Sequence, residues 1–330
     1  MKATLKSGAV VVIGGGFAGL MTVLSLSSHK SFPQIVLIDS RPRFVFLPLL
    51  YELLSNELQS WQIAPTYRSL LVGKGIAVVQ DLVVKIDLGN KNVLTDGGEV
   101  IQYEQLVIST GAHPDTSAIS GVSEHALKFA QLEDVAKVKE LVHQLNLSNS
   151  ADQVLAIVGA GPSGIELACK IADLLEGKTQ IHLIEMGDRV LSNGKSFNQE
   201  QALRALKKRQ IKLHLETRVL KVTLDTLHLA NNLGTSSLLY NGLIWTAGSK
   251  SSPPTGLPKN IVHPKGISIN SSLQVIGMQD VFAIGDVAID VNNPIIGTAQ
   301  VAMQQGEFLA KNLIASRKSQ PLQNFKFLDR

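Results

Sequence analysis

Cysteine is almost missing from this 330-residue sequence. Cys169 stands alone, which excludes a disulfide framework and any redox-active cysteine pair within the chain. Long apolar runs are missing too, and none reaches the roughly 18 residues a bilayer-crossing helix needs. Neither sign of charge dominates: 31 basic and 27 acidic residues leave +4, too mild to argue for a nucleic-acid partner. The basic residues are dispersed, and their one dense run, Lys207-Lys208-Arg209, reads as a solvated helix face. The histidines, His113 and His182 among them, show no ligand spacing, so no metal site is expected. A signal peptide is not expected either. Lys2 and Lys6 precede an apolar run from Ala9 to Ile13 that is too short and breaks into glycines rather than a cleavage site. What is plentiful is apolar material, 45% against 18% charged, enough for a large core in a chain whose length suggests two domains. A reducing, cytoplasmic setting fits the single thiol.

Two segments of the chain resemble each other. The first runs from Ala9-Val-Val-Val-Ile13 through Gly14-Gly-Gly16-Phe-Ala-Gly19 into a helical pattern from Leu20 to about Ser27, then an apolar run from Ile35 to Ile38 closed by Asp39. The second runs from Val154-Leu-Ala-Ile-Val158 through Gly159-Ala-Gly161-Pro-Ser-Gly164 into a helical pattern from Ile165 to Leu175, then Ile181 to Ile184 closed by Glu185. The acid follows the first glycine by 25 residues in one copy and 26 in the other. Such a repeat of strand, turn, helix, strand and acid indicates a duplicated function. Between the copies lie β-rich stretches, Gly75 to Asp87 and Leu106 to Ser109. The polar stretch from Leu145 to Gln153 reads as a linker into the second copy, and Ser249 to Pro258 suits a domain crossing.

Gly-x-Gly-x-x-Gly between a strand and a helix makes one demand at each glycine. The first (Gly14, Gly159) turns tightly, and the second (Gly16, Gly161) lets a diphosphate approach the backbone. There the helix N-terminus offers unpaired N–H groups and a positive dipole end. The third (Gly19, Gly164) lets helix and strand pack closely. The acid, Asp39 or Glu185, accepts from a ribose. One such motif is weak evidence; two in the same context, each with its acid, are strong. Glu185 would repel a 2′-phosphate and so favour NADH over NADPH, with Arg189 four residues on as a partial offset. Near the C-terminus, Val281-Phe-Ala-Ile-Gly285-Asp286 places a carboxylate at a strand tip, where it can accept from the ribityl hydroxyls of a flavin.

These motifs, with Ser109-Thr110-Gly111 and Trp245-Thr-Ala-Gly248, resemble the two-dinucleotide-binding flavoprotein reductases. That resemblance implies an α/β fold of two Rossmann-like domains, with FAD on the first motif, NAD(P)H on the second, and the Gly-Asp motif completing the flavin site. It implies a FAD domain over residues 1–118 and 266–330, interrupted by an NAD(P)H domain over 119–265. Within the superfamily, Phe46-Leu-Pro-Leu-Leu-Tyr-Glu52, Gly161-Pro-Ser-Gly-Ile-Glu166 and Ala299-Gln-Val-Ala-Met-Gln-Gln-Gly306 are similar to segments of type II NAD(P)H:quinone oxidoreductases. Small differences in these segments resemble most the branch acting on prenylated naphthoquinones. The resemblance implies hydride transfer from NAD(P)H to FAD and two-electron reduction of a quinone, without proton pumping. It also implies a homodimer, and attachment to the cytoplasmic side of a membrane through an amphipathic helical segment at the C-terminus. This sequence stops at Phe325-Lys-Phe-Leu-Asp-Arg330, in what reads as the start of a strand, so a fragment or a chain without that anchor is expected.

From the family, Glu166 is expected to lie on a proton route to the quinone, and Gln300 and Gln304 beside the quinone pocket. From their own pattern alone, Glu166 reads equally as a solvent-facing charge. The two glutamines, four apart on one helix face, read equally as surface residues. Pro48 to Tyr51 divide between plain core and a flavin- or quinone-facing role, and Cys169 reads as a packed core thiol. Two other functions stay open: a soluble reductase feeding a redoxin, and a non-enzymatic flavoprotein that senses NADH. A disulfide reductase is excluded by the single cysteine, and a sulfide:quinone oxidoreductase is disfavoured on the same ground.

Overall fold

The computed structural model describes residues 8–29, 34–148, 152–263, 265–295 and 297–329. Lys2 and Lys6, and the middle of the expected linker at 149–151, lie outside the described residues.

Strand β1 (Val10–Ile13), helix α1 (Phe17–Ser27) and strand β2 (Ile35–Asp39) open the chain. A 3₁₀ segment at Leu47–Leu53 and the one-turn helices α2 (Ser60–Ile63) and α3 (Tyr67–Leu70) follow. Five strands come next: β3 (Ile76–Gln80), β4 (Val83–Asp87), β5 (Asn92–Thr95), β6 (Val100–Gln102) and β7 (Gln105–Ile108). The middle of the chain holds α4 (Val122–His125), β8 (Leu127–Lys128), α5 (Leu132–Leu147), β9 (Val154–Val158) and α6 (Pro162–Leu175). It continues with β10 (Gln180–Ile184), α7 (Ser196–Lys208), β11 (Lys212–His214) and β12 (Arg218–Val222). Then come β13 (Thr226–Asn231), β14 (Gly234–Leu239), β15 (Gly242–Trp245) and the short β16 (Val262–His263). The last elements are β17 (Gly266–Ser268), β18 (Val281–Ala283), β19 (Ala288–Ile289) and α8 (Ala299–Arg317).

Two compact units share these elements. Unit 1 comprises Met1–Phe44, Ala64–Ala112 and Lys250–Arg330; unit 2 comprises Val45–Ile63 and His113–Ser249. Each is built on a five-stranded parallel sheet, ordered β18-β7-β1-β2-β3 in unit 1 and β11-β10-β9-β15-β8 in unit 2. Each adds a three-stranded antiparallel meander, β4-β5-β6 and β12-β13-β14. The units thus repeat one plan, in which β1 answers to β9, β2 to β10, β3 to β11 and β7 to β15. The apolar runs Val10–Ile13 and Val154–Val158 become central strands because parallel strands covered on both faces are apolar throughout; besides the helices, residues of each unit's meander share a core with its sheet. Only the outermost strand beside β7 or β15 differs in origin. Unit 2 takes it from the chain just before β9, and unit 1 takes it from far downstream.

The observed divisions differ from the expected 118/119 and 265/266. The clearest difference is residues 45–63, which leave unit 1 and pack on unit 2. Lys170 on α6 pairs with Glu52 at 2.7 Å and Glu57 at 2.8 Å, and Lys139 on α5 donates to Asn56 at 2.7 Å. The stretch from Leu145 to Gln153 leads from the end of α5 to β9, the first strand of the second copy, and lies inside unit 2, whose sheet has already begun at β8. Among the described residues, 320–329 form no strand. They lie extended along α8, where Asn312 bonds both ways with the Gln323 backbone, Phe325 N–H donates to Ser271 O, and Phe325 packs edge-on against Phe308.

Candidate functional site

The two glycine turns have nearly the same geometry. Gly14 (φ +95°) and Gly159 (φ +108°) occupy the left-handed region that side chains avoid. A Cβ at Gly19 would fall on the carbonyl oxygen of Gly14, and one at Gly164 on that of Gly159, so each helix touches the strand that feeds it. At the middle positions the opposite holds: a Cβ at Gly16 or Gly161 would meet nothing within 4 Å. Both residues are N-caps without a side-chain cap, so the N-terminal ends of α1 and α6 lie at that open space. Open space and a positive helix end together fit a diphosphate.

The acids repeat as well. Asp39 Oδ2 accepts from Gly15 N–H at 2.7 Å, and Glu185 Oε2 accepts from Ala160 N–H at 2.7 Å. Their second oxygens accept from Arg41 N–H and Gly187 N–H, both at 2.8 Å. Asp39 is buried and also faces the Arg41 guanidinium at 3.2 Å, while Glu185 is only half-buried. Arg189, the expected offset at the second acid, forks onto Asp188 at 2.9 and 2.7 Å instead.

One hydroxyl in each unit, just past β7 and β15, went unread in the sequence. Ser109 reaches the carbonyls of Ile13 and Gly14, both at 2.8 Å; Thr246 reaches those of Val158 and Gly159 at 2.9 and 3.2 Å. Each locks its glycine turn to the strand that precedes Thr110-Gly111 in unit 1 and Ala247-Gly248 in unit 2. Gly111 (φ +69°) and Gly248 (φ +76°) then turn the chain away. The hydroxyl at matching places in the two copies was the signal available.

Around the Gly-Asp turn of unit 1, Gly285 (φ +71°) donates its N–H to Gln305 Oε1 at 2.7 Å. Burial raises the pKa of Asp286 beside it. Helix α8 begins at Thr298, whose hydroxyl accepts from Val301 N–H at 3.1 Å. Of its glutamines, the structure brings the buried Gln305 to this turn. Gln304 instead bonds both ways with the Leu328 backbone, at 2.9 and 3.0 Å. Gln300 lies in the first turn, half-buried. A polar residue inside the buried stripe of Val301, Ala302, Gln305, Gly306 and Leu309 was the cue for Gln305. In unit 2, Glu166 and Lys170 share a face of α6 beside Tyr51 and Glu52, with Lys170 Nζ 5.7 Å from the Tyr51 ring centre. Although the Glu166 side chain is largely exposed, partial withdrawal of its carboxyl from water, then the charge of Glu52, raise its pKa.

The family model described as pyridine nucleotide-disulphide oxidoreductase matches residues 8–306. The chain belongs to that family. Among its relatives is the demethylphylloquinone reductase NdbB of Synechocystis, 35% identical, matching 95% of this chain and 80% of that protein. The type II NADH:quinone oxidoreductase of Staphylococcus saprophyticus is 26% identical over 97% of this chain and 85% of its own. The structure of NDH2 from Plasmodium falciparum in complex with NADH shares the fold, with a TM-score of 0.84 at 18% identity over 98% of this chain and 87% of that one. The expected two-domain α/β flavoprotein fold and the likeness to type II quinone oxidoreductases are thus borne out, and the cofactors are FAD and a nicotinamide dinucleotide. Despite the family's title, the disulphide chemistry has no partner thiols here, because Cys169 is the one cysteine. Among the described residues, no helix is long and apolar enough to cross a membrane.

Proposed function

We propose that this oxidoreductase takes electrons from NADH in unit 2, holds FAD in unit 1, and delivers two electrons to a quinone. The observation that carries this reading is the repeated cradle: two open glycine turns, each braced by an acid and a hydroxyl, in one chain. Gly14, Gly16 and Gly19 with Asp39, Thr110, Gly111, Gly285 and Asp286 would hold the flavin dinucleotide. Gly159, Gly161 and Gly164 with Glu185 and Gly248 would hold the nicotinamide dinucleotide. When bound, the flavin supplies a carrier that accepts a hydride and releases electrons to an acceptor.

The chain's own groups supply position and protons. Glu185 would set a negative charge where a 2′-phosphate would sit, and Arg189, the nearby cation, is occupied by Asp188. Glu166, with its raised pKa, retains a proton to higher pH than a free glutamate and suits a route from solvent to a reduced quinone. Gln300 and Gln304 remain the glutamines proposed for the quinone side. The named activities of the relatives favour a quinone as acceptor, and the Synechocystis relative favours a prenylated naphthoquinone. An acceptor of that kind resides in lipid, which argues for peripheral association with a membrane face.

Steady-state oxidation of NADH and NADPH against benzoquinone and naphthoquinone acceptors tests the reading. NADH should be the better donor, and its oxidation should rise steeply with a naphthoquinone. Oxidation that no quinone accelerates would sink the proposal.

A further inference from the structure

The two cradles differ at one carbonyl. In unit 1 the Gly15 carbonyl accepts from the Tyr67 hydroxyl at 2.9 Å, and the same hydroxyl lies 3.1 Å from Asp39 Oδ2. In unit 2 the matching carbonyl, of Ala160, accepts from the backbone N–H of Leu191 at 2.9 Å. A side chain in one unit thus does what the main chain does in the other. Tyr67 is buried, 1% exposed, at the start of α3, which Thr66 caps by accepting from Ser69 N–H at 3.1 Å. A Cβ at Gly15 would run into the Tyr67 phenol. That accounts for a third consecutive glycine in unit 1 where unit 2 has alanine.

Because the Gly15–Gly16 peptide is trans, a carbonyl drawn inward onto Tyr67 turns the Gly16 N–H the opposite way. The hydroxyl therefore fixes both the direction of that N–H and the Asp39 carboxylate, which itself holds the Gly15 N–H. Burial, and secondly the charge of Asp39, push the Tyr67 pKa upward, so the group stays a donor through the physiological range.

We propose that Tyr67 is a positioning residue for the diphosphate of FAD, acting through the Gly15–Gly16 peptide and Asp39. The proposal rests on reading unit 1 as the flavin unit. It concerns unit 1 alone, so binding at unit 2 serves as an internal control.

The test compares FAD and NADH binding to the deflavinated full chain and to Tyr67→Phe, which keeps the buried ring and removes the hydroxyl. FAD should bind about five- to thirty-fold more weakly, the range for a lost hydrogen bond that touches a charged partner, while NADH affinity stays within about two-fold. Unchanged FAD affinity in Tyr67→Phe overturns the proposal, as does weakening of both ligands in step, which marks a merely structural residue. Gly15→Ala supplies an arm that does not depend on folding of the Phe variant. Its added methyl meets Tyr67, so FAD binding should fall at least about ten-fold while NADH binding stays within about two-fold. Gly15→Ala that binds FAD as tightly as the parent also overturns the proposal. Failure of the unaltered chain to bind FAD at all defeats the reading of unit 1, and with it the role of Tyr67.

Discussion

Glu185 offers its two oxygens to Ala160 N–H and Gly187 N–H, and among the described residues it forms no ion pair, Arg189 forking onto Asp188. Glu185→Gln keeps one acceptor oxygen and removes the charge. The kcat/KM ratio of NADPH to NADH should then rise about five-fold, equivalent to about 1 kcal/mol for a half-exposed charge near a phosphate. If the ratio does not move, or the parent already prefers NADPH, Glu185 does not set cofactor choice. At this scale the glycines were legible because backbone geometry dictates them: Gly14 and Gly159 need positive φ, and Gly19 and Gly164 need the absence of a Cβ. Asp39 and Glu185 were legible because a strand of fixed length carries each back to its turn. Tyr67 was not, because its partner Gly15 lies 52 residues away and nothing local marks a tyrosine as a donor. Nor was the commitment of Gln304 to the Leu328 backbone, since helix spacing fixes a face without saying what covers it.

Among the elements, α1 and α8 pack closely at Gly306, where a Cβ would meet the carbonyl oxygen of Ala18, with Met21 Cβ at 3.0 Å and Thr22 N at 3.1 Å. Gly306→Ala should therefore destabilise unit 1 by about 1–3 kcal/mol, even though alanine is the better helix former. Urea unfolding reads this directly, and an unchanged or raised midpoint would show that the helices separate without cost. Strands β1 and β9 were plain in the sequence, being apolar throughout. Helix starts were read three residues late: α1 begins at Phe17 and α6 at Pro162, because a proline at the first helical position and a glycine cap initiate a helix that apolar periodicity alone does not show. The two-residue strand β8 carries too little pattern to be seen, yet it completes the sheet of unit 2.

At the scale of the molecule, acid sensitivity has a specific source. His182 on β10 and His214 on β11 stack with ring centres 5.0 Å apart and ring nitrogens at 3.0 Å. Burial, then His214 and Lys212, lower the His182 pKa to about 4. The unfolded chain protonates this histidine near pH 6.5, whereas the folded chain resists until about pH 4. The unfolded state thus takes up a proton across that window. Stability present above pH 6.5 should fall toward pH 4 by roughly 3 kcal/mol. Unfolding measured over that range checks the slope, and His182→Gln should flatten it; an equally steep slope in the variant assigns the effect elsewhere. The existence of two domains was legible from the duplicated motif. Their division was less so, because residues 45–63 carry no compositional break, and what places them in unit 2 is packing on α5 and α6 together with long-range contacts such as Lys170–Glu52.

The late arrival of β18 reverses the order of birth. On the ribosome, β7 emerges about 170 residues ahead of the strand that flanks it, a delay of roughly 9–35 s at ordinary elongation rates. Unit 2 has all its residues by Ser249, so it can fold while unit 1 still waits with one side of β7 unpaired. The domain begun first is finished last. Gly285 and its partner Gln305 emerge later still, so the first cradle gains these surroundings only after every residue of unit 2 has been made.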